Sequence, residues 1–245
     1  MRCLATALIL LVLAAPVRAG TIEAHYVATW AGLPAGQITM RIEDDGSVYR
    51  GRLDMKTEGL PRWFTRFKGS AVSEGRLADD GTAHPSRYDA LYDLRKRKNK
   101  LNSLRFVAKP EGVVAERGPG DTSKKPPIDE QFRRGVVDPL SALIAVRHRI
   151  LTGKLGPDGR FVVPVFDGSR RFDAEGHVTR RDGRLHVDLM LKPIAGFRDD
   201  KPDEDEDPED SPRPVEIEFT DDATLLPVRL EVSIAWFPAV VRLGS

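Results

Sequence analysis

Side chains that do chemistry are thinly spread along this chain, and few stand close enough in sequence to act together. The five histidines are His25, His84, His148, His177 and His186, and no two lie at the i, i+4 spacing that sets two imidazoles on one helix face. The only cysteine is Cys3. No Gly-x-Ser-x-Gly elbow, His-Glu-x-x-His pair, phosphate-binding glycine loop or dinucleotide fingerprint occurs. Asp138, Ser141 and His148 supply the residue types of a hydrolase. Helix neighbours at those spacings do not by themselves form a nucleophile, a base and an orienting group. The expectation is a non-enzymatic protein with no cofactor and no metal.

Arg147 is the most informative single residue. It lies seven residues after Leu140 and three after Ile144, on the apolar stripe of a predicted helix. A guanidinium there needs an anionic or carbonyl partner, or must extend its head to water. Two readings stay open: an internal ion pair, with Asp138 or Asp167, and a bidentate clamp for a ligand carboxylate or phosphate. Asp167-Gly168-Ser169-Arg170-Arg171 follows an apolar run at 161–166 and reads as a charged hairpin turn. Arg147, Asp167, Arg170 and Trp30 are the candidate ligand-binding residues. The stretch at 61–67, with Trp63 and Phe67, is aromatic and basic together; it reads either as an exposed lip or as core.

The elements that must position these residues are mostly strands. Ile22, Ala24, Tyr26, Ala28 and Trp30 alternate with polar neighbours, and so do Ile38, Met40 and Ile42. The same period-two pattern recurs at 49–56, 184–191, 215–219 and 228–236. Asp45-Gly46, Asp80-Gly81, Asp158-Gly159 and Asp182-Gly183 are turn signals. One helix is predicted over 138–152, with Asp138 as N-cap, Pro139 in the first helical position and Gly153 at the stop. Ten or so one-faced strands present more apolar surface than one short helix can cover. The apolar faces must therefore face one another. The expected fold is mainly β: a large curled or spiral antiparallel β-barrel, with one main α-helix covering or plugging it and an apolar internal concavity.

The N-terminal residues bear on compartment. Arg2, an apolar run at 4–15 broken only by Thr6, and Pro16-Val17-Arg18-Ala19 have the layout of a secretory signal peptide cleaved between Ala19 and Gly20. The run is shorter than the roughly 20 residues a spanning helix needs. Residues 20–245 are then expected to form a single barrel-like domain without a transmembrane segment. With Arg2 and Arg18 gone, 36 basic residues face 37 acidic ones, a balance that argues against nucleic acid as a partner. Arg95-Lys96-Arg97-Lys98 with Lys100 is a basic cluster, and residues 199–210 hold nine carboxylates. Both read as solvated loops, or as contacts to each other or to a charged partner.

Several short segments in order resemble one family. They are Trp30-Ala31-Gly32-Leu33-Pro34-Ala35-Gly36, the spaced Gly69, Ser73, Gly75, Pro85 and Tyr88, and Asp138-Pro139-Leu140-Ser141-Ala142-Leu143. Val165-Phe166-Asp167-Gly168-Ser169-Arg170-Arg171 and Leu226-Pro227-Val228-Arg229 complete the set. Together they resemble the exported bacterial proteins of Domain of Unknown Function 3108. The resemblance implies a periplasmic protein with a curled barrel similar to the periplasmic lipoprotein carriers, and brings no catalytic residues. The acidic run at 199–210 looks like an insertion in this chain. The function expected first is the binding of a hydrophobic ligand (a lipid, an acyl chain or a peptide segment) in envelope maintenance. An envelope scaffold acting through charged loops on a protein partner ranks second, and a hydrolase with a dispersed site last.

Overall fold

Alternation along the chain becomes the two faces of one sheet. The computed structural model describes residues 20–59, 66–94, 97–124, 126–197, 211–234 and 237–244. The leader with Ala19, residues 61–65 of the aromatic stretch with Trp63, Arg95 and Lys96, the acidic run and Trp236 lie outside the described residues. Among those described there are thirteen strands. The first seven are β1 (Gly20–Trp30), β2 (Leu33–Asp44), β3 (Val48–Thr57), β4 (Lys68–Leu77), β5 (Ala83–Leu94), β6 (Arg97–Lys109) and β7 (Gly112–Arg117). After a helical segment come β8 (Arg160–Phe166), β9 (Arg171–Arg181), β10 (Arg184–Ala195), β11 (Arg213–Thr220), β12 (Pro227–Ile234) and β13 (Phe237–Leu243).

All thirteen belong to one antiparallel sheet. Neighbours run from β7 back to β1, pass from β1 to β13, and run back again to β8. The edge strands β7 and β8 are therefore both mid-chain. A short strap closes most of the gap between them: Arg134 pairs with Val114, and Val137 pairs with Val165. Gly135 N donates to Val113 O, Val137 N to Pro164 O and Phe166 N to Val137 O, each at 2.9 Å. Arg133 Nη1 adds a 2.6 Å bond to Ala115 O. The product is a nearly closed barrel, the expected architecture. A sheet this wide would otherwise leave one whole apolar face in water.

The helix α1 (Pro139–Leu151) starts at the strap and runs into the barrel. Asp138 caps it, accepting from Leu140 N and Ser141 N, and Gly153 follows the last turn at φ 66°. Its burial is wider than one stripe: Leu140, Ile144, Ala145, Val146 and His148 are all buried. That is the pattern of a helix enclosed by its surroundings. The sheet makes room with small residues. Ala71, Ser73 and Gly75 line the inner face of β4, and a Cβ on Gly51 of β3 would sit 2.9 Å from Ile144 Cδ1 and Leu140 Cγ. The C-terminal turns of α1 reach the β2–β3, β4–β5 and β11–β12 turns, so the helix plugs that end of the barrel.

Two tight hairpins turn on left-handed residue pairs, one of them at the expected Asp182-Gly183. Ala31-Gly32 and Asp182-Gly183 both take left-handed angles, φ 50° and 77° and φ 50° and 69°. The β8–β9 turn is tied across the seam instead. Asn102 of β6 donates its amide to Asp167 O, and a Cβ on Gly168, at φ +98°, would collide with that Asn102 amide. Gly168→Ala is expected to destabilise the protein by about 2 kcal/mol through backbone strain and overpacking. A thermal melt by circular dichroism measures it, and an unchanged midpoint would show that the turn is not held against β6.

Candidate functional site

Polar chemistry concentrates where the helix enters the barrel. Asp138, Ser141 and Ser73 are fully buried, with Tyr49 against them. Asp138 Oδ2 lies 2.5 Å from Ser141 Oγ and 2.9 Å from Ser73 Oγ. Ser141 Oγ is also 2.7 Å from Ser73 Oγ and 2.6 Å from Tyr49 Oη. Four oxygens thus make four short contacts, while the three hydroxyls bring only three protons. Ser73 and Ser141 both donate to Asp138 Oδ2, so the Ser73–Ser141 approach is a contact between two hydroxyls whose protons are already used. Tyr49 then donates to Ser141. Burial pushes the Asp138 carboxyl up, against the bonds from Ser141, Ser73 and Leu140 N. Burial also raises the Tyr49 and Tyr88 phenols. The cluster is closed to solvent and locks α1 to β3 and β4.

His148 stands more than a turn further along the helix, at the plugged end. Its Nδ1 is 3.9 Å from Asp44 Oδ2 and has no hydrogen-bond partner. The structure therefore brings Ser141 and Asp138 together and places His148 beside a different carboxylate. Arg147 lies there too, only 6% exposed. Its Nη1 is 3.6 Å from Asp44 Oδ2, while Nε and Nη2 donate to Thr224 O at 3.2 and 2.7 Å. The partner is thus Asp44, rather than Asp138 or Asp167. Burial lowers the Arg147 pKa, and Asp44 opposes the shift.

The opposite end of the barrel is built differently. On several strands inward residues are buried near the plug and half-exposed away from it, while on β11 they stay buried out to Val215. On β2, Ile42 and Met40 are buried and Ile38 is half-exposed. On β3 the change falls between Tyr49 and Leu53, and on β10 between Val187 and Leu189. Leu191, Leu230, Val232 and Val241 are half-exposed in the same way. Register joins Leu189, Val215, Val232, Ala239 and Trp30 into one inner row across five neighbouring strands. Trp30, at the end of β1, therefore belongs to the wall of this open half.

The β8–β9 turn stands at the rim. Asp167 Oδ1 accepts from Ser169 N at 2.8 Å, Ser169 Oγ at 2.9 Å and Arg170 N at 2.8 Å. The Arg170 guanidinium lies 5.4 Å from the centre of the Phe197 ring. Arg213 is the register partner of Leu191, on the same face of β11 as the buried Val215, Ile217 and Phe219. These side chains border a cleft of about 130 Å³ with Phe172 and Leu191. Trp30, Asp167 and Arg170 thus share the open end, and Arg147 is at the other. Sequence reasoning passes over Arg213, although the period-two count back from Val215 places it on the inner face. A larger groove on the outer surface over β2–β5 is lined by charged pairs such as Arg52 and Asp54, 2.6 Å apart. Among the described residues no group of three or more His, Cys, Asp or Glu side chains is placed to hold a metal, and no helix is long and apolar enough to cross a membrane.

Comparison with known proteins agrees with this architecture. The crystal structure of a beta-barrel-like protein of Domain of Unknown Function DUF1849 from Brucella abortus is similar, with a TM-score of 0.55 and 11% identity. The match covers 93% of this chain and 97% of that one. At such identity the likeness concerns the fold alone. No curated protein matches the chain in sequence. The profile of a family described as "Protein of unknown function (DUF3108)" matches residues 25–242, which span the strap, α1 and all the strands but the first residues of β1 and the last of β13. The chain belongs to the DUF3108 family.

Proposed function

We propose that the protein is an exported, non-enzymatic component of the bacterial cell envelope that binds an apolar ligand in the open half of its barrel. The carrying observation is the change in burial along the inner rows, from packed at the helix to half-exposed at Ile38, Leu53, Leu189, Leu230 and Val232. Fully burying one such side chain is worth about 1.5–3 kcal/mol. A concave wall that leaves several of them half-covered gains that energy when an apolar guest completes the packing. The leader at 1–19 supports an exported, periplasmic location.

An uncharged environment-sensitive dye, N-phenyl-1-naphthylamine, tests the reading. Saturable binding with enhanced fluorescence is expected. The double variant Leu189→Asp/Leu230→Asp, checked for folding by circular dichroism, is expected to bind at least about tenfold more weakly, since each apolar side chain withdrawn from the wall costs on the order of 1 kcal/mol. Absence of saturable binding, or unchanged binding to the folded variant, would refute the proposal.

A further inference from the structure

We infer that the plugged end of the barrel is an acid-sensitive latch, in which protonation of His148 sets two cations against the one carboxylate of Asp44. All three side chains lie inside the fold. His148 is 4% exposed and Arg147 6%, and the Asp44 side chain is 8% exposed. Asp44 Oδ2 is 3.6 Å from Arg147 Nη1 and 3.9 Å from His148 Nδ1. Its other oxygen, Oδ1, already accepts Gly46 N at 2.7 Å. His148 Nδ1 has no hydrogen-bond partner. With a neutral imidazole the site holds one positive and one negative charge and is balanced. A proton on His148 leaves a net positive charge away from water, which a fold relieves by rearranging or opening. Histidine is the side chain whose charge changes between about pH 5 and pH 8.

The surroundings offer no second anion. α1 packs on β3, β4, β5 and β8. The buried residues those strands turn toward it, Tyr49, Ser73, Leu77, Tyr88 and Val163 among them, are uncharged. Asp138 is buried at the other end of α1, about 15 Å away along the axis at about 1.5 Å per residue. In the turns around the plug Asp45, Asp80 and Asp222 are exposed. They accept from Ser47 and Val48, from Thr82, and from Thr224 and Leu225. His84 on β5 is exposed too, and Arg149 donates to Gly81 O. Arg147 Nε and Nη2 meanwhile hold Thr224 O, which ties α1 to the β11–β12 turn. Leu225, the next residue, is fully buried, and β12 begins at Pro227. Repulsion from a protonated His148, or its capture of Asp44 Oδ2, loosens this grip and frees the turn.

Hydrogen–deuterium exchange at about pH 7.5 and about pH 5.5, read by mass spectrometry and corrected for the intrinsic pH dependence of amide exchange, reports the latch. Segments 144–152 and 221–228 are expected to lose protection at least about tenfold at the lower pH. In His148→Gln, whose side chain gains no charge, protection is expected to be the same at both. Asp138 cannot mimic the loss, because burial raises its folded pKa and acid there favours the folded state. A nuclear magnetic resonance titration of the His148 imidazole in the unaltered protein should share its midpoint with the loss of protection. Equal protection at both pH values in the unaltered protein overturns the latch. A loss that persists in the folded His148→Gln variant overturns it as well. If that variant does not fold, the two midpoints decide: coincidence supports the latch, and an imidazole that titrates apart from the loss overturns it.

Discussion

Asp138→Ala is expected to leave the protein largely unfolded at room temperature. The substitution removes the N-cap of α1, worth about 1 kcal/mol. It also strips the carboxylate from Ser73 and Ser141, both fully buried. Ser73 and Ser141 keep each other and Tyr49, but the loss of each buried bond to the carboxylate costs about 1–3 kcal/mol. The sum, about 4–5 kcal/mol, approaches the whole stability of many single domains. Asp138→Asn keeps the cap oxygen and the shape of the group, so a loss of only about 1 kcal/mol is expected. Urea titration of both variants separates these cases, and a large loss in the Asn variant would show that the cluster needs both carboxyl oxygens as acceptors.

The pH dependence carries the same test with a definite sign. Burial raises the folded pKa of Asp138 above its unfolded value, so the folded state holds the proton more tightly. The resulting stabilisation is complete below the ordinary aspartate pKa of about 3.9 and is lost as pH rises through the folded value. The urea midpoint of the unaltered protein relative to Asp138→Asn should therefore fall as pH is raised from about 4. A difference that grows with pH would contradict a folded pKa raised by burial.

Asp44→Ala has the second largest expected effect, a loss of about 3–5 kcal/mol. Arg147 is buried at the plugged end, and Asp44 is the carboxylate beside it. Removing the carboxylate leaves the guanidinium with the Thr224 carbonyl alone and frees Gly46 N, which donates to Asp44 Oδ1 at 2.7 Å. Asp44→Ala/Arg147→Met should recover part of the loss, because an apolar chain of similar reach suits the site better than an unpaired charge. Chemical denaturation of the single and double variants measures the coupling, and simple additivity would show that the pair does not interact.

The legible parts of the sequence were those where one face contrasts with the other. β1, β2, β10 and β11 alternate large apolar with charged residues, and α1 carries its start and stop signals at Asp138, Pro139 and Gly153. β4 is harder to read because Ala71, Ser73 and Gly75 are small where the helix presses on the sheet. Close packing between elements erases the hydrophobic contrast that reveals a strand. The polar cluster is opaque for another reason. Asp138 shows as a helix cap, but Ser73 and Tyr49 stand 65 and 89 residues before it, on strands whose neighbours only the closed barrel defines. The pairing of Arg147 follows the same rule: the inward guanidinium can be read, while the β2 carboxylate that meets it depends on register.

The passage of the sheet from β1 to β13 sets an order in time. Tyr26 lies opposite Leu243 and Trp30 opposite Ala239, so the wall is completed by residues from the two extremes of the chain. Until β13 arrives, β1–β7 is a meander with an unpaired strand at its leading edge and an uncovered apolar face. Loop closure of this span is slow, and the waiting half is a template for association with other chains. Emergence from a ribosome or a translocation pore delivers β13 last. The first half is therefore exposed to association until β13 arrives.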